Sequence, residues 1–167
     1  MLRLIAFICF VSAGAVAGNA LSDKLKQNRE NTREIHSMLI QISALIRYKA
    51  LDVFEIVHEL CISGNYKNLE FLQHLPDRYE PGTDFREQWV QEVTADRNLN
   101  DDERSLLLSF GSVLGTSDAE GQLMSVEAAL ETVRTLEVRR SEEYQQKGRL
   151  YRSLGMLFGT MAGIMII

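Results

Sequence analysis

The stretch "GSVLGTSDAEGQ", Gly111 to Gln122, combines three glycines with a Thr-Ser pair. Such a segment either cradles phosphate or turns the chain between two helices, and the two readings lead to different folds. A phosphate-binding loop needs G-x-x-x-x-G-K-[ST], because the lysine must reach the phosphates. Here Gly111 and Gly115 are four residues apart and Thr116 stands where that lysine is needed. Asp118 and Glu120 would also place carboxylates at the start of the next helix, where the bound anion would have to sit. The corner reading explains more. Gly115 suits the left-handed position that ends a helix, and Ser117 with Glu120 three residues on has the spacing of a capping box. Asp118 and Gln122 exceed what that cap requires, so they either brace the corner or face a partner. Gly111, Leu114, Gly115, Ser117, Asp118, Glu120 and Gln122 are therefore candidates for a structural corner or a partner contact.

Outward from the corner, the pattern is helical. Asn100 followed by acids and by Glu103 predicts a helix start, with Leu106, Leu107, Phe110 and Leu114 as its apolar side. After Asp118 a long helix runs without proline, with Leu123, Val126, Leu130, Val133 and Leu136 facing a core. Upstream, Ile35, Met38, Leu39, Ile42, Leu45 and Ile46 recur at helical spacing. Lys26–Glu34 before them reads as a solvated stem. A second helix has Leu51, Phe54, Val57 and Cys61 on one side and stops at Ser63-Gly64. A short third helix lies around Tyr66–Leu75. Both prolines, Pro76 and Pro81, fall in the connector "LPDRYEPGTD". A fourth helix from Asp84 turns Phe85, Trp89, Val90 and Val93 inward. No alternating strand pattern of useful length appears.

The 167-residue chain carries a net charge of −5. An acidic balance argues against nucleic-acid binding, which needs a basic face to neutralise phosphates. Cys9 and Cys61 are too far apart in character and place to suggest a disulfide framework or a metal spacing.

The two ends differ from the middle. Leu4 to Leu21 is uncharged and about 27 Å long as a helix. It reads either as a cleaved signal peptide, with Arg3 as n-region and Ala15-x-Ala17 as the cleavage site, or as a retained anchor. Ser153 to Ile167 is a second uncharged run, about 22 Å long, which favours retention of the first. Basic residues gather on the inner side of both runs: Lys24, Lys26, Arg29 and Arg33 after the first, and Arg139, Arg140, Lys147, Arg149 and Arg152 before the second. Positive charge stays cytoplasmic. The expected fold is all-α: anchors at 1–21 and 153–167, and a cytoplasmic bundle of about six helices over 22–152, its first and last long helices continuing into the anchors.

Gly155, Gly159 and Gly163 repeat every four residues, and Gly14 and Gly18 do the same in the first run. Small faces of this kind let membrane helices approach closely, within one chain or between copies in a homo-oligomer. Chemistry finds less support. Glu55-x-x-His58 has the spacing of a di-iron bundle motif, but such sites need two copies; His36 follows Arg33 and His74 follows Phe71 at that spacing. Surface or half-buried histidines are the expectation, with no metal, cofactor or catalytic residue.

Gly111-x-x-Leu114-Gly115-x-Ser117-Asp118 with Gln122, and Lys147-Gly148-Arg149-Leu150-Tyr151 leading into the second anchor, resemble the stage III sporulation protein AB family. "MLRLI" at the start and a long helix ending "IRY" add to the likeness, which is weak between Ser63 and Asp84. The family's Thr-Pro-Leu turn is absent, since Tyr48-Lys49-Ala50-Leu51 lacks the proline. The resemblance implies a mother-cell membrane protein of the channel-like apparatus that joins mother cell and forespore. It implies a non-enzymatic helical platform, similar to that of type II secretion machines. Its implied partners are the cytoplasmic ATPase of the same sporulation operon and other membrane proteins of the channel complex. The alternative is an extracytoplasmic helical binding module released by signal cleavage.

Overall fold

A computed structural model describes residues 2–49, 51–79, 81–82, 84–115 and 118–166, with side chains for all of these except 2–7, 10, 163 and 166. The described residues form six α-helices and no strand: α1 (Leu2–Ala44), α2 (Val53–Ser63), α3 (Phe71–His74), α4 (Phe85–Ala95), α5 (Asp101–Gly111) and α6 (Ala119–Ile166), with a π-helical turn Leu45–Lys49 after α1. The apolar runs 1–21 and 153–167 are not helices of their own; their described parts belong to α1 and α6. Among the described residues no helix is long and apolar enough to cross a membrane.

The chain divides into two compact units, one made of residues 1–29 and 139–167 and the other of residues 30–138. The division falls inside α1 and α6.

Residues 30–138 enclose a core to which every helix contributes. The expected stripe is fully realised, with Ile35, Met38, Leu39 and Ile42 of α1 and Leu45 and Ile46 of the π-helical turn all buried. On α6, Val126 and Val133 are buried and Leu123, Leu130 and Leu136 pack at the margin. Asp52 caps α2 with a reciprocal bond to Glu55, and Gly64 ends it at φ 63°. Left-handed backbone costs any residue with a Cβ about 1–2 kcal/mol, which is why glycine stands there. Asn100 and Glu103 cap α5 as the spacing predicts.

Four expectations are corrected. Val90 is 42% exposed, while Phe85, Trp89 and Val93 turn inward. The buried face of α2 is Ile56, Val57 and Leu60; Phe54 is half-buried, Leu51 is half-buried ahead of the helix, and Cys61 is exposed. The third helix is only the single turn Phe71–His74. Most consequentially, Lys26–Glu34 is no solvated stem, because Asn31 and Thr32 are 0% exposed.

The described residues of 1–29 and 139–167 form an antiparallel helix pair. A Cβ on Gly14 would come within 2.4 Å of the Gly155 carbonyl oxygen and 2.8 Å of the Gly159 Cα. A Cβ on Gly18 would meet the Tyr151 carbonyl at 2.6 Å. Side chains there would push the helices apart. Further along, Arg152 Nε donates to Ser22 Oγ at 3.0 Å and the Arg29 guanidinium lies 4.7 Å from the Tyr144 ring centre.

Candidate functional site

The corner after α5 is held by the aromatic core beneath it. Trp89 is 0% exposed, and its ring meets Phe71 at 5.4 Å, Phe110 at 5.9 Å and Phe85 at 6.0 Å. Its indole N–H donates to the Leu107 carbonyl at 2.8 Å, so the ring's one polar atom is satisfied inside the core. Gly111 is the place where this ring crosses α5. A Cβ on Gly111 would lie 2.1 Å from Trp89 Cδ1 and 2.2 Å from Nε1, so glycine is required there for room. Helical winding continues past Gly111 through Leu114, whose N–H donates to Phe110 O at 3.3 Å. Leu114 is buried. Gly115, at φ 78°, then reverses the chain beside Val53, whose Cγ1 would be 3.0 Å from an added Cβ.

Thr116 and Ser117 lie outside the described residues. Beyond them α6 begins at Ala119, and its cap is Asp118: the carboxylate accepts the Gly121 N–H at 2.9 Å and the Asp118 carbonyl accepts from Gln122 N at 3.0 Å. The described cap is therefore one residue later than the Ser117–Glu120 box, with Gly121 as its third helical position. Glu120 is exposed in the first turn, where its charge favours the helix dipole by about 0.3–1 kcal/mol. Gln122 is half-buried. The corner thus sets Gly111 and Leu114 in the core and leaves Gly115, beside Val53, with Asp118 and Glu120 at the surface.

A second cluster was invisible to hydrophobic periodicity. Thr32 Oγ1 donates to the buried Glu103 carboxylate at 2.5 Å, and Asn31 Nδ2 donates to Asn98 O at 2.6 Å. Asn68 donates twice to Glu34, from its backbone at 3.0 Å and its amide at 2.7 Å. Asp96, 4% exposed, accepts from Phe71 N and Asn98 N. Arg104 donates to the Asp96 and Leu99 carbonyls. Buried polar groups persist only when bonded in this way. The knot ties α1, the Asn68 loop, the α4–α5 connection and α5 together. The signal that could have revealed it is the run Asn98–Asn100 beside Asp96, a loop rich in side chains that bond backbone. Burial raises the Glu34 pKa above the usual carboxylate value despite the Asn68 bonds.

The histidines have individual partners. Glu55 is engaged in the α2 cap, and His58 pairs with Asp77 at 3.1 Å, which lowers the Asp77 pKa. His36 meets Glu137 at 2.6 Å and His74 meets Glu92 at 3.5 Å. Among the described residues no three His, Cys, Asp or Glu side chains converge on a metal geometry. Cys61 is a free thiol bonded to Leu72 O at 3.3 Å. Burial, then the nearby Asp77 charge, raise its pKa, which suppresses the reactive thiolate.

The comparison with known families decides the relationship. The family model of stage III sporulation protein AB matches residues 3–167, so it takes in the corner, the polar knot and both long helices. The chain belongs to that family. No curated protein and no solved structure matches it. The family is one of stage III of sporulation, and it is not a known enzyme family. The motif segments around Gly111–Gln122 and Lys147–Tyr151 are thus parts of one sporulation protein whose helices are the elements just described.

Proposed function

We propose that this AB-family protein is a membrane-anchored, non-enzymatic scaffold of the channel apparatus between mother cell and forespore. In this reading residues 1–21 and 153–167 anchor it in the mother-cell membrane, and the helical body of residues 30–138 stands in the cytoplasm as a platform. The observation that carries the proposal is the glycine-closed helix pair. Gly14 and Gly18 against Gly155 and Gly159 give the close backbone approach that favours association in lipid. Val16, Leu157, Phe158, Met161, Ile164 and Met165 on the same pair are exposed, an apolar surface that water would penalise and acyl chains would cover. Because the glycine faces are occupied within the chain, a homo-oligomer would use another surface.

The platform works in this reading by coupling the cytoplasmic ATPase of the operon to other membrane proteins of the complex. The exposed carboxylates at the α6 start and the acidic body fit a basic partner surface. Affinity purification of the full chain from detergent-solubilised sporulating membranes tests this. The ATPase is expected to co-purify, and its absence when other channel proteins are recovered would remove the coupling role. The extracytoplasmic alternative requires cleavage after Ala17, which would discard Gly14 and its contact with Gly155 and Gly159. An intact mass lower by about 1.7 kDa, from 17 lost residues, would establish that alternative.

A further inference from the structure

The charges of the chain are divided unevenly between its units. Residues 30–138 carry nine Lys/Arg against twenty Asp/Glu, a net of −11, whereas residues 1–29 with 139–167 carry nine against three, a net of +6. All the basic residues of the second set except Arg3 fall in 24–29 or 139–152, beside the apolar runs. Within that collar, Arg149, Arg152, Tyr144, Gln145, Gln146 and Gly148 line a cleft of about 670 Å³ with no carboxylate in its wall.

The two arginines are prepared for an anion in different ways. Arg152 is exposed, yet its Nε is tied to Ser22 Oγ at 3.0 Å, and Ser22 is fully buried. That bond fixes the guanidinium and leaves both terminal nitrogens to a ligand. Arg149, one turn earlier, is also exposed, and no carboxylate is bonded to it among the described residues. A planar guanidinium matches two phosphate oxygens at once. Immediately beyond Arg152 the helix becomes uncharged and presents exposed Leu154, Met156, Leu157 and Phe158. A ligand with a phosphate at one end and acyl chains at the other satisfies both halves, whereas free phosphate leaves the apolar half unused.

We propose that the Arg149–Arg152 cleft is a headgroup site for an anionic phospholipid, with the acyl chains lying along Leu154–Phe158. The site rests on the membrane-anchored reading. Its occupant orients the chain, because the basic collar is drawn to an anionic surface while the acidic body is repelled from it.

The test uses the full chain. Native mass spectrometry of the delipidated protein in detergent, titrated with phosphatidylglycerol or phosphatidylcholine, reads the preference directly. Each basic residue near an anionic surface gives about a fivefold effect, so phosphatidylglycerol is expected to be preferred by roughly ten- to thirtyfold. The pair Arg149→Gln and Arg152→Gln should abolish that preference at unchanged helical content, while Arg149→Lys with Arg152→Lys keeps part of it. Ser22→Ala, which frees Arg152 without touching a charge, should reduce it. An unchanged preference in the glutamine pair overturns the site, as does a wild type that binds both lipids equally. Carbonate extraction from vesicles of each lipid separates the underlying reading. A chain that resists extraction but shows no lipid preference loses only the headgroup site, and a chain extracted from both vesicles loses the anchors and the site together.

Discussion

Replacing Gly111 by alanine tests the packing at the corner in its sign as well as its size. Helix propensity alone favours alanine over glycine by up to about 1 kcal/mol, so a position without steric demand would be stabilised. At Gly111 the new methyl would fall 2.1 Å from Trp89 Cδ1, closer than any real carbon contact. Trp89 has nowhere to go, because Phe71, Phe85 and Phe110 hold its ring and Leu107 O holds its N–H. Overpacking of a well-filled core costs about 1–3 kcal/mol. Displacing the indole also strands a buried N–H, at about 1–3 kcal/mol. The net expectation after the propensity gain is a loss of about 1–6 kcal/mol, or roughly 2–24 °C in Tm for a chain of this size. Trp89 is the only tryptophan, so its fluorescence during thermal unfolding of the full chain in detergent reports on this site directly. A G111A protein with a Tm equal to or above wild type would refute the argument that the Trp89 ring occupies that space.

Other perturbations probe other parts of the fold. Gly64 has φ 63° and open space around it, so Gly64→Ala is expected to cost about 1 kcal/mol from backbone strain alone, and Gly64→Asn less; denaturant midpoints compare them. Thr32→Val keeps the shape but removes the hydroxyl that bonds Glu103, and should lower stability by about 1–3 kcal/mol; a neutral result in urea unfolding would show that the buried bond is dispensable. Because the Glu34 pKa is raised in the folded state above 4.5, folding binds a proton there. Wild-type stability should fall relative to Glu34→Gln as pH rises from 4.5 through the raised value, and parallel pH profiles would contradict this. In a Cys9→Ser, Cys61→Ser background, Ser22→Cys and Gly148→Cys should form a disulfide on mild oxidation, since a Cβ at 148 lies 3.3 Å from Ser22 Oγ. Adding Gly155→Leu should suppress it by parting the helices.

The helical class was legible because the apolar stripes are regular. Ile35 through Ile46 and Leu106 through Leu114 repeat at the period of a helix, and their burial follows whichever neighbour covers them. Caps were legible too where the capping residue and its partner are close in sequence, as at Asn100 and Glu103. What depends on distant partners was not. Asn31 and Thr32 look solvent-facing until Asn98 and Glu103 supply their bonds, and nothing local announces that pairing. Val90 satisfies the same period as Val93 but lies beyond the edge of the covered face. Gly111 reads as a turn glycine, yet its purpose is the passage of Trp89, a contact made across 22 residues of chain. The motif at Ser117–Glu120 has the right spacing for a cap, but Ser117 lies outside the described residues, and the cap bond that is described runs from the Gly121 N–H to Asp118. Periodicity and spacing fix what a segment can do by itself; helix crossings decide which of those options is used.

The anchored scaffold is tested most directly by topology. In a background lacking Cys9 and Cys61, Ser63→Cys and Ile167→Cys are expressed singly in vegetative cells and exposed to a membrane-impermeant thiol reagent. Position 167 is expected to be labelled in intact cells and position 63 only after permeabilisation. Labelling of position 63 in intact cells would place the helical body outside the cytoplasm and contradict it.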